Sequence, residues 1–87
     1  MENGKDKDKK LVTIIVNTQE HEVEKDDISY EEVVVLAYPS ADFNNPDLSY
    51  IVNYKRAHGN ADGSLTKGQQ VKVKEGMIFN VTETNKS

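Results

Sequence analysis

Apolar residues recur at every second position over much of the chain, and this period of two predicts β-strands. Residues 10–17 (KLVTIIVN) are β-branched and almost continuously apolar, which is typical of a strand in the middle of a sheet. Residues 17–18 (NT) predict a turn, and residues 19–25, which alternate weakly, predict a short hairpin partner. Neighbouring side chains of the first strand point to opposite faces, and we assign to the core Val12, Ile14 and Val16.

The period changes between Asp27 and Tyr38, where the sequence predicts a helix. Ser29 followed by Glu32 matches a capping box, in which the serine oxygen accepts from an early backbone N–H and the glutamate reaches back. One stripe with helical spacing follows, made of Tyr30, Val33, Val34 and Ala37. Three consecutive valines disfavour a helix because β-branched side chains lose rotamers there. The capping box and the helical stripe both favour one, and we therefore predict a helix that Pro39 ends.

A further strand is predicted at residues 48–56 (LSYIVNYKR), between polar loops at residues 40–47 and 57–67. Leu65 is the one sizeable apolar side chain of the second loop. The alternation of the strand separates two sets of side chains, Tyr50, Val52 and Tyr54 on one face and Ile51, Asn53 and Lys55 on the other.

The last stretch, residues 68–87 (GQQVKVKEGMIFNVTETNKS), contains two more alternating runs separated only by Glu75-Gly76. Two such runs joined by a short linker that contains glycine predict a β-hairpin. The polar residues 83–87 that follow it predict a flexible C-terminal tail. From the second strand of the hairpin, the side chains expected to face the helix are Met77, Phe79 and Val81.

These elements predict an α+β fold in the order strand, strand, helix, strand, strand, strand. A hairpin, one helix and further strands form a mixed sheet of about five strands with the helix packed across one face. The first and last strands can lie parallel in the middle of the sheet, which suits their apolar character. This arrangement is the β-grasp.

Composition predicts one small domain with polar ends. The chain has 87 residues, of which 36% are hydrophobic and 30% charged, and the apolar residues fall in periodic blocks. Residues 1–9 (MENGKDKDK) have mixed charge and predict a disordered leader, so the domain is expected at residues 10–82.

Composition also excludes several classes of protein. The chain has no cysteine, which rules out a disulfide framework, a thiolate zinc site and a cysteine nucleophile within it. No apolar run approaches the ~20 residues that span a bilayer, and the N-terminus lacks the apolar region of a secretory signal. We therefore expect a cytoplasmic protein without a membrane partner. The formal charge of −4 disfavours nonspecific nucleic-acid binding.

Candidate catalytic and metal-binding residues all have simpler explanations. His21 and His58 are the two imidazoles, and nothing in their spacing requires them to converge with carboxylates on a metal. The acidic pairs at residues 26–27 and 31–32 lie beside a helix start, where the helix dipole favours negative charge. The sequence therefore predicts no catalytic residue, no metal site and no enzyme.

Three segments carry a resemblance to a known family. Residues 63–87 (GSLTKGQQVKVKEGMIFNVTETNKS) closely resemble the bacterial multiubiquitin domain, a ubiquitin-like β-grasp family. Residues 26–39 (DDISYEEVVVLAYP) and 49–59 (SYIVNYKRAHG) are similar to the helix and middle strand of that family. The likeness extends over roughly residues 10–87, and its most specific part is VKVKEGMIFNVT.

Such a resemblance implies a protein modifier that enzymes carry, not a catalyst. Its expected partners are an activating enzyme, a conjugating enzyme, a metal-dependent peptidase that processes or deconjugates it, and a target protein. The chain itself would bind no cofactor, because ATP and magnesium would be held by the activating enzyme. The resemblance also implies conjugation and a role in antiphage defence.

The C-terminus departs from the familiar modifiers, which end in Gly-Gly because activation draws the terminus through a narrow channel. Here no glycine follows Gly76. Three alternatives stay open: Ser87 is itself the activated carboxylate, a peptidase trims the tail first, or the domain never conjugates. The residues assigned to the conjugation tail are Thr84, Asn85, Lys86 and Ser87.

Outward apolar side chains define a second candidate site. The alternation directs four of them away from the helix, and we assign to a partner-binding face Leu11, Ile15, Ile51 and Ile78. The alternative is a scatter of surface aliphatics without function. Two other functions also stay open: a non-conjugating adaptor that binds partners through its sheet, and a structural subunit that self-associates through a strand edge.

Overall fold

The computed structural model describes residues 10–85 and contains a single α-helix within that range. No helix in this part of the chain is long and apolar enough to cross a membrane. The strands and the helix, in chain order, are β1 (Leu11–Val16), β2 (Gln19–Glu24), β3 (Asp27–Ser29), α1 (Tyr30–Ala37), β4 (Leu48–Lys55), β5 (Gly63–Leu65), β6 (Gln70–Lys72) and β7 (Ile78–Asn85).

Five strands form the main sheet in the order β2-β1-β7-β4-β5, and β3 and β6 form a separate two-stranded sheet. β1 and β7 are parallel, and the other neighbours in the main sheet are antiparallel. α1 contacts the central strand β7 and both of its neighbours, β1 and β4. The predicted α+β fold is confirmed: one helix packed on a mixed five-stranded sheet, as in the ubiquitin-like β-grasp.

The hairpin of β1 and β2 forms as predicted, around Asn17 and Thr18. Both residues have positive φ, 50° and 72°. Two successive residues with positive φ make a turn whose twist matches that of the flanking strands. The turn sets the register of the hairpin, in which Val16 pairs with Gln19.

The capping box predicted for α1 is present. Ser29 Oγ accepts from the backbone N–H of Glu32 at 3.1 Å, and Glu32 Oε1 accepts from the backbone N–H of Ser29 at 2.9 Å. Val33 and Val34 are both fully buried, so core packing outweighs the low helix propensity of β-branched residues. The helix ends at Ala37, and the N–H of Tyr38 still donates to the carbonyl of Val34.

The predicted C-terminal hairpin is wrong. β6 pairs with β3, with Val71 opposite Ile28, whereas β7 enters the main sheet. Glu75 and Gly76 do form a turn, but this turn is bound to Thr13 of β1. Glu75 Oε1 accepts from the backbone N–H of Thr13, and the N–H of Gly76 donates to the backbone carbonyl of Thr13. A period-2 pattern predicts that a segment is a strand, but it does not predict which strand is its neighbour.

A short strand lies where a polar loop was expected. β5 pairs with β4, with Leu65 opposite Val52, and Leu65 is buried. The chain around Leu65 is polar because the strand is only three residues long and forms the edge of the sheet. Such a segment carries too few apolar positions to show an alternation.

The core lies between the main sheet and α1, and it contains the side chains that the alternation placed there. Phe79, Met77 and Ile14 are fully buried. The complete set of buried apolar residues is Val12, Ile14, Val16, Ile28, Tyr30, Val33, Val34, Tyr50, Val52, Ala57, Leu65, Val73, Met77, Phe79 and Val81. The inward assignments for β1 and β7 are therefore confirmed.

Candidate functional site: the C-terminal strand and the open sheet face

The C-terminal strand β7 lies in the sheet between β1 and β4. Its pairing with β4 continues to the last described residue, with Ser49 opposite Thr84 and Leu48 opposite Asn85. The hydroxyl of Thr84 also donates to the carbonyl of Ser49 at 3.3 Å. The predicted flexible tail must be corrected accordingly, because residues 83–85 belong to β7.

The tail prediction failed for a physical reason. Backbone pairing needs no apolar side chain, and β4 provides eight residues against which the polar end of β7 can pair. Polar composition therefore did not indicate an end of the strand. The other two residues assigned to the tail, Lys86 and Ser87, lie outside the described residues, as does the predicted leader at residues 1–9.

On its other side, β7 is held by a side chain after β1 ends. The last residue pair of the two strands is Val16 with Phe79. One residue further, Asn17 Nδ2 donates to the carbonyl of Val81 at 2.9 Å, and Asn17 Oδ1 accepts from the N–H of Val81 at 2.8 Å. The amide side chain thus takes the place of one more strand residue.

Tyrosines from the helix and from β4 support the same end of β7. The Tyr50 hydroxyl donates to Glu83 Oε2 at 2.9 Å and accepts from the N–H of Asp42 at 3.3 Å. The Tyr30 hydroxyl donates to the carbonyl of Tyr50 at 2.9 Å. Phe43 packs between the two rings, with centroids 6.2 Å from Tyr30 and 5.7 Å from Tyr50. Aromatic packing and hydrogen bonds therefore fix the strand end together.

Burial raises the pKa of the Tyr30 hydroxyl, and it also raises the pKa of the Tyr50 hydroxyl, where the Glu83 carboxylate adds to the effect. A raised pKa means that the neutral phenol is the favoured form. Both tyrosines therefore keep their protons at neutral pH and act as hydrogen-bond donors.

The open face of the sheet, opposite α1, carries the four residues assigned to partner binding, but it brings only two of them together. Ile15 and Ile78 are opposite each other in the parallel pair, and both are half-buried. Leu11 and Ile51 are exposed at 60% and 50%. Leu11 lies four positions before Ile15 on β1, so about 13 Å separates them along the strand.

Ile51 lies toward the other end of this face. It is opposite Thr82 on β7, four positions beyond Ile78, which corresponds again to about 13 Å along the strand. The neighbour of Ile78 on β4 is Lys55. The open face is therefore a polar surface with a central isoleucine pair and one exposed aliphatic side chain toward each end, rather than one continuous apolar patch.

The comparison with protein-family models decides the family. The multiubiquitin model matches residues 12–85, from the second residue of β1 to the last residue of β7. The chain belongs to the multiubiquitin family. The suspected resemblance is thereby confirmed. The searches of curated proteins and of solved structures gave no significant match.

The candidate site of this multiubiquitin domain includes three residues that the sequence pattern does not indicate, Asn17, Tyr50 and Glu83. Asn17 was assigned only to a turn, and Tyr50 only to an inward face. Glu83 was placed in the tail. The partners of Asn17 and Tyr50 are 64 and 33 residues away, so no local pattern could have indicated them.

Neither histidine contributes to a metal site among residues 10–85, where no group of three or more potential metal ligands occurs. His58 Nε2 lies 3.2 Å from the carbonyl of Val73. This contact joins the turn at residues 58–60 to the segment that follows β6. The exposed imidazole of His58 thus makes a contact with the backbone of the chain.

Proposed function

We propose that this multiubiquitin domain is a ubiquitin-like protein modifier whose C-terminal end is presented to an activating enzyme. The observation that carries the proposal is the position of β7. It is paired with β4 as far as Asn85 and is held from the other side by Asn17. The described part of β7 therefore ends at a fixed point of the domain, which would present the C-terminal end to an activating enzyme from a defined position.

The chemistry belongs to the enzymes. The activating enzyme, with bound ATP and magnesium, would join the terminal carboxylate to AMP with release of pyrophosphate. A thiolate of that enzyme would then displace AMP to form a thioester, and the conjugating enzyme would pass the acyl group to a target protein. The role of this chain is recognition and presentation, and antiphage defence is the proposed setting.

The strand pairing limits how a trimmed terminus could react. If a peptidase removed the residues after Asn85, the new carboxylate would lie at the paired end of β7. It could enter a narrow channel only after Thr84 and Asn85 had separated from β4. Strand ends open at low free-energy cost, so this route is compatible with the fold.

Partner enzymes would approach the open sheet face, where Ile15 and Ile78 form the central apolar contact and Ile51 the exposed one. Interfaces commonly combine a small apolar centre with a polar rim. Thr82 and Lys55 lie next to these isoleucines and would form part of that rim.

A second candidate is a non-conjugating β-grasp adaptor. It is favoured by the position of Gly76, the last glycine of the sequence, in the turn before β7 rather than after it. The third alternative, self-association through a strand edge, is disfavoured at β2. Three glutamates at alternate positions of this edge strand would repel a second copy.

The test is co-expression of the chain with its activating and conjugating enzymes, followed by intact mass measurement and a denaturing gel. Deletion of Lys86 and Ser87 keeps every residue of the described pairing between β7 and β4, which extends to Asn85. Ile51→Ser serves as the comparison, because it alters the open face and leaves the terminus intact.

Covalent higher-mass species that disappear on deletion of the two residues would support a modifier. If the deletion variant still forms covalent species, the conjugated chain would be one that a peptidase has trimmed to a shorter C-terminus. A single unmodified species, alongside an activating enzyme shown to be active with another substrate, would instead favour the adaptor.

A further inference from the structure

Negative charge is concentrated in one part of the chain. Residues 20–32 contain seven carboxylates and one lysine, a formal charge of −6, although the whole chain carries −4. The remaining residues therefore carry a net charge of +2. Three of the seven carboxylates lie on β2, opposite the open-face positions of β1, and the others lie between the end of β2 and the first turn of α1.

An open groove of about 660 Å³ lies between β2, β3 and α1. Its apolar lining consists of Val23, Ile28, Val35 and Leu36. Val35 is the notable member, because this valine is 44% exposed in a helix whose neighbouring valines are fully buried. The groove thus presents apolar side chains to solvent.

Carboxylates surround the apolar lining. They belong to Glu24, Asp26, Asp27, Glu31 and Glu32, and none of the described residues that line the groove is a lysine or an arginine. A cleft lined by charges of one sign attracts groups of the opposite charge. The groove is therefore complementary to a positively charged group.

Helix formation explains only part of this arrangement. Glu32 belongs to the capping box, Glu31 lies in the first helical turn, and Asp26 Oδ1 accepts from the N–H of Asp27. The helix dipole favours such residues at the start of a helix. It does not account for the exposure of Val35.

We propose that this groove docks a basic segment of a partner protein that carries apolar side chains. The apolar side chains of the segment would cover Val35 and Leu36, and its lysines or arginines would face Asp27 and Glu31. Such an interface combines apolar burial with charge complementarity that accelerates association and selects the partner. The groove lies on the helix side of the sheet, so its binding can be measured separately from conjugation and from binding at the open face.

The probe is a synthetic peptide of about 12 residues, with leucines at helical spacing and lysines elsewhere. It is titrated into the full 87-residue protein labelled with ¹⁵N, and backbone amide shifts are mapped. An analogue with glutamate in place of every lysine is the peptide control. We expect shifts at Val23 and Val35 with the lysine peptide, absent with the analogue, and weaker as salt screens the charges.

Matched variants separate the groove from general charge attraction. The Asp27→Asn/Glu31→Gln variant removes two carboxylates at the groove, and the Asp47→Asn/Asp62→Asn variant removes two elsewhere. Val35→Ala and Ile51→Ala truncate exposed aliphatic side chains on the groove and on the open face. We expect the first variant of each pair to weaken peptide binding at least about threefold, and the second to leave it unchanged.

Several outcomes would overturn the proposal. If both charge variants weaken peptide binding equally, the binding depends on net charge and not on the groove. If the amide shifts are confined to the open face, the peptide binds there instead. Tighter binding after removal of residues 1–9 would assign the groove to the chain's own N-terminal segment. Self-association that is abolished by Val35→Ala would assign it to a second copy. None of these results depends on conjugation, which the co-expression assay tests separately.

Discussion

The side chain of Asn17 binds both backbone polar groups of Val81, with Nδ2 donating to the carbonyl at 2.9 Å and Oδ1 accepting from the N–H at 2.8 Å. Asn17 can do this because its φ of 50° lets the chain turn away while the amide points back to β7. Asparagine tolerates this left-handed conformation better than most residues. The turn and the C-terminal strand are therefore joined through one residue.

Asn17→Gly should destabilise the domain by about 1–3 kcal/mol, because it removes both hydrogen bonds and leaves partly buried backbone groups of Val81 without them. Glycine accepts the positive φ, so turn strain does not contribute. Thr18→Gly is the matched control, at a neighbouring φ of 72°, and should stay within about 1 kcal/mol of wild type. Urea denaturation measures both. Equal effects would show that the turn, and not the amide contact, matters.

Phe79→Ala should cost about 3–5 kcal/mol, because the ring is fully buried between the sheet and the helix. Ile51→Ala, on an exposed position of the neighbouring strand, should change the stability by about 0.5 kcal/mol or less. The two variants are compared by the midpoints of their denaturant unfolding curves, on the condition that the dependence of the unfolding free energy on denaturant concentration is the same for both. A small effect of Phe79→Ala would contradict the inward assignment of β7.

Ser29→Ala should destabilise the domain by about 1 kcal/mol, since the N–H of Glu32 loses its partner at the start of α1. Ser40→Ala, at an exposed serine beyond the helix, provides the control. Thermal unfolding by circular dichroism measures the difference. If the two variants unfold alike, the capping box contributes nothing to stability.

Stability should fall as the pH rises above the ordinary tyrosine pKa of 10.0. Folding raises the pKa values of Tyr30 and Tyr50, so the folded state holds these protons more tightly than the unfolded chain does. Their contribution is complete below the unfolded pKa and is lost as the pH rises through the folded pKa. Urea midpoints measured between about pH 8 and about pH 11 should therefore decline.

The Tyr30→Phe/Tyr50→Phe variant tests the origin of this decline. It lacks both hydroxyls, so its stability should depend less steeply on pH over the same range, although its stability at neutral pH should be lower. An unchanged slope in the double variant would assign the decline to other groups.

The sequence predicted which side chains are buried wherever burial repeats with the period of the strand or helix. The side chains of β1, β4 and β7 that point to the core could be predicted because alternate side chains of a strand point to opposite faces of the sheet. The capping box of α1 was equally readable, since Ser29 and Glu32 are neighbours in the chain. Both signals are local, and both were confirmed.

Pairing partners were not readable from the sequence. Gln70–Lys72 looked like one arm of a hairpin with the following strand, but β3 is its neighbour. The end of β7 looked like a tail because its residues are polar, and only β4 shows that they are paired. The hydrogen bond between Tyr50 and Glu83 is another such case. In each case the partner lies far away in the chain.

The parallel pairing of β1 with β7 also constrains how the molecule is made. Asn17 and Val81 are 64 residues apart, and the ribosome produces the strand at one end of this interval long before the strand at the other. Until β7 exists, one side of β1 has no native neighbour, and loop closure over nearly the whole domain must precede the central contact. Such non-local topologies fold slowly for their size. A nascent chain that stalls before Phe79 would expose an apolar strand edge to aggregation.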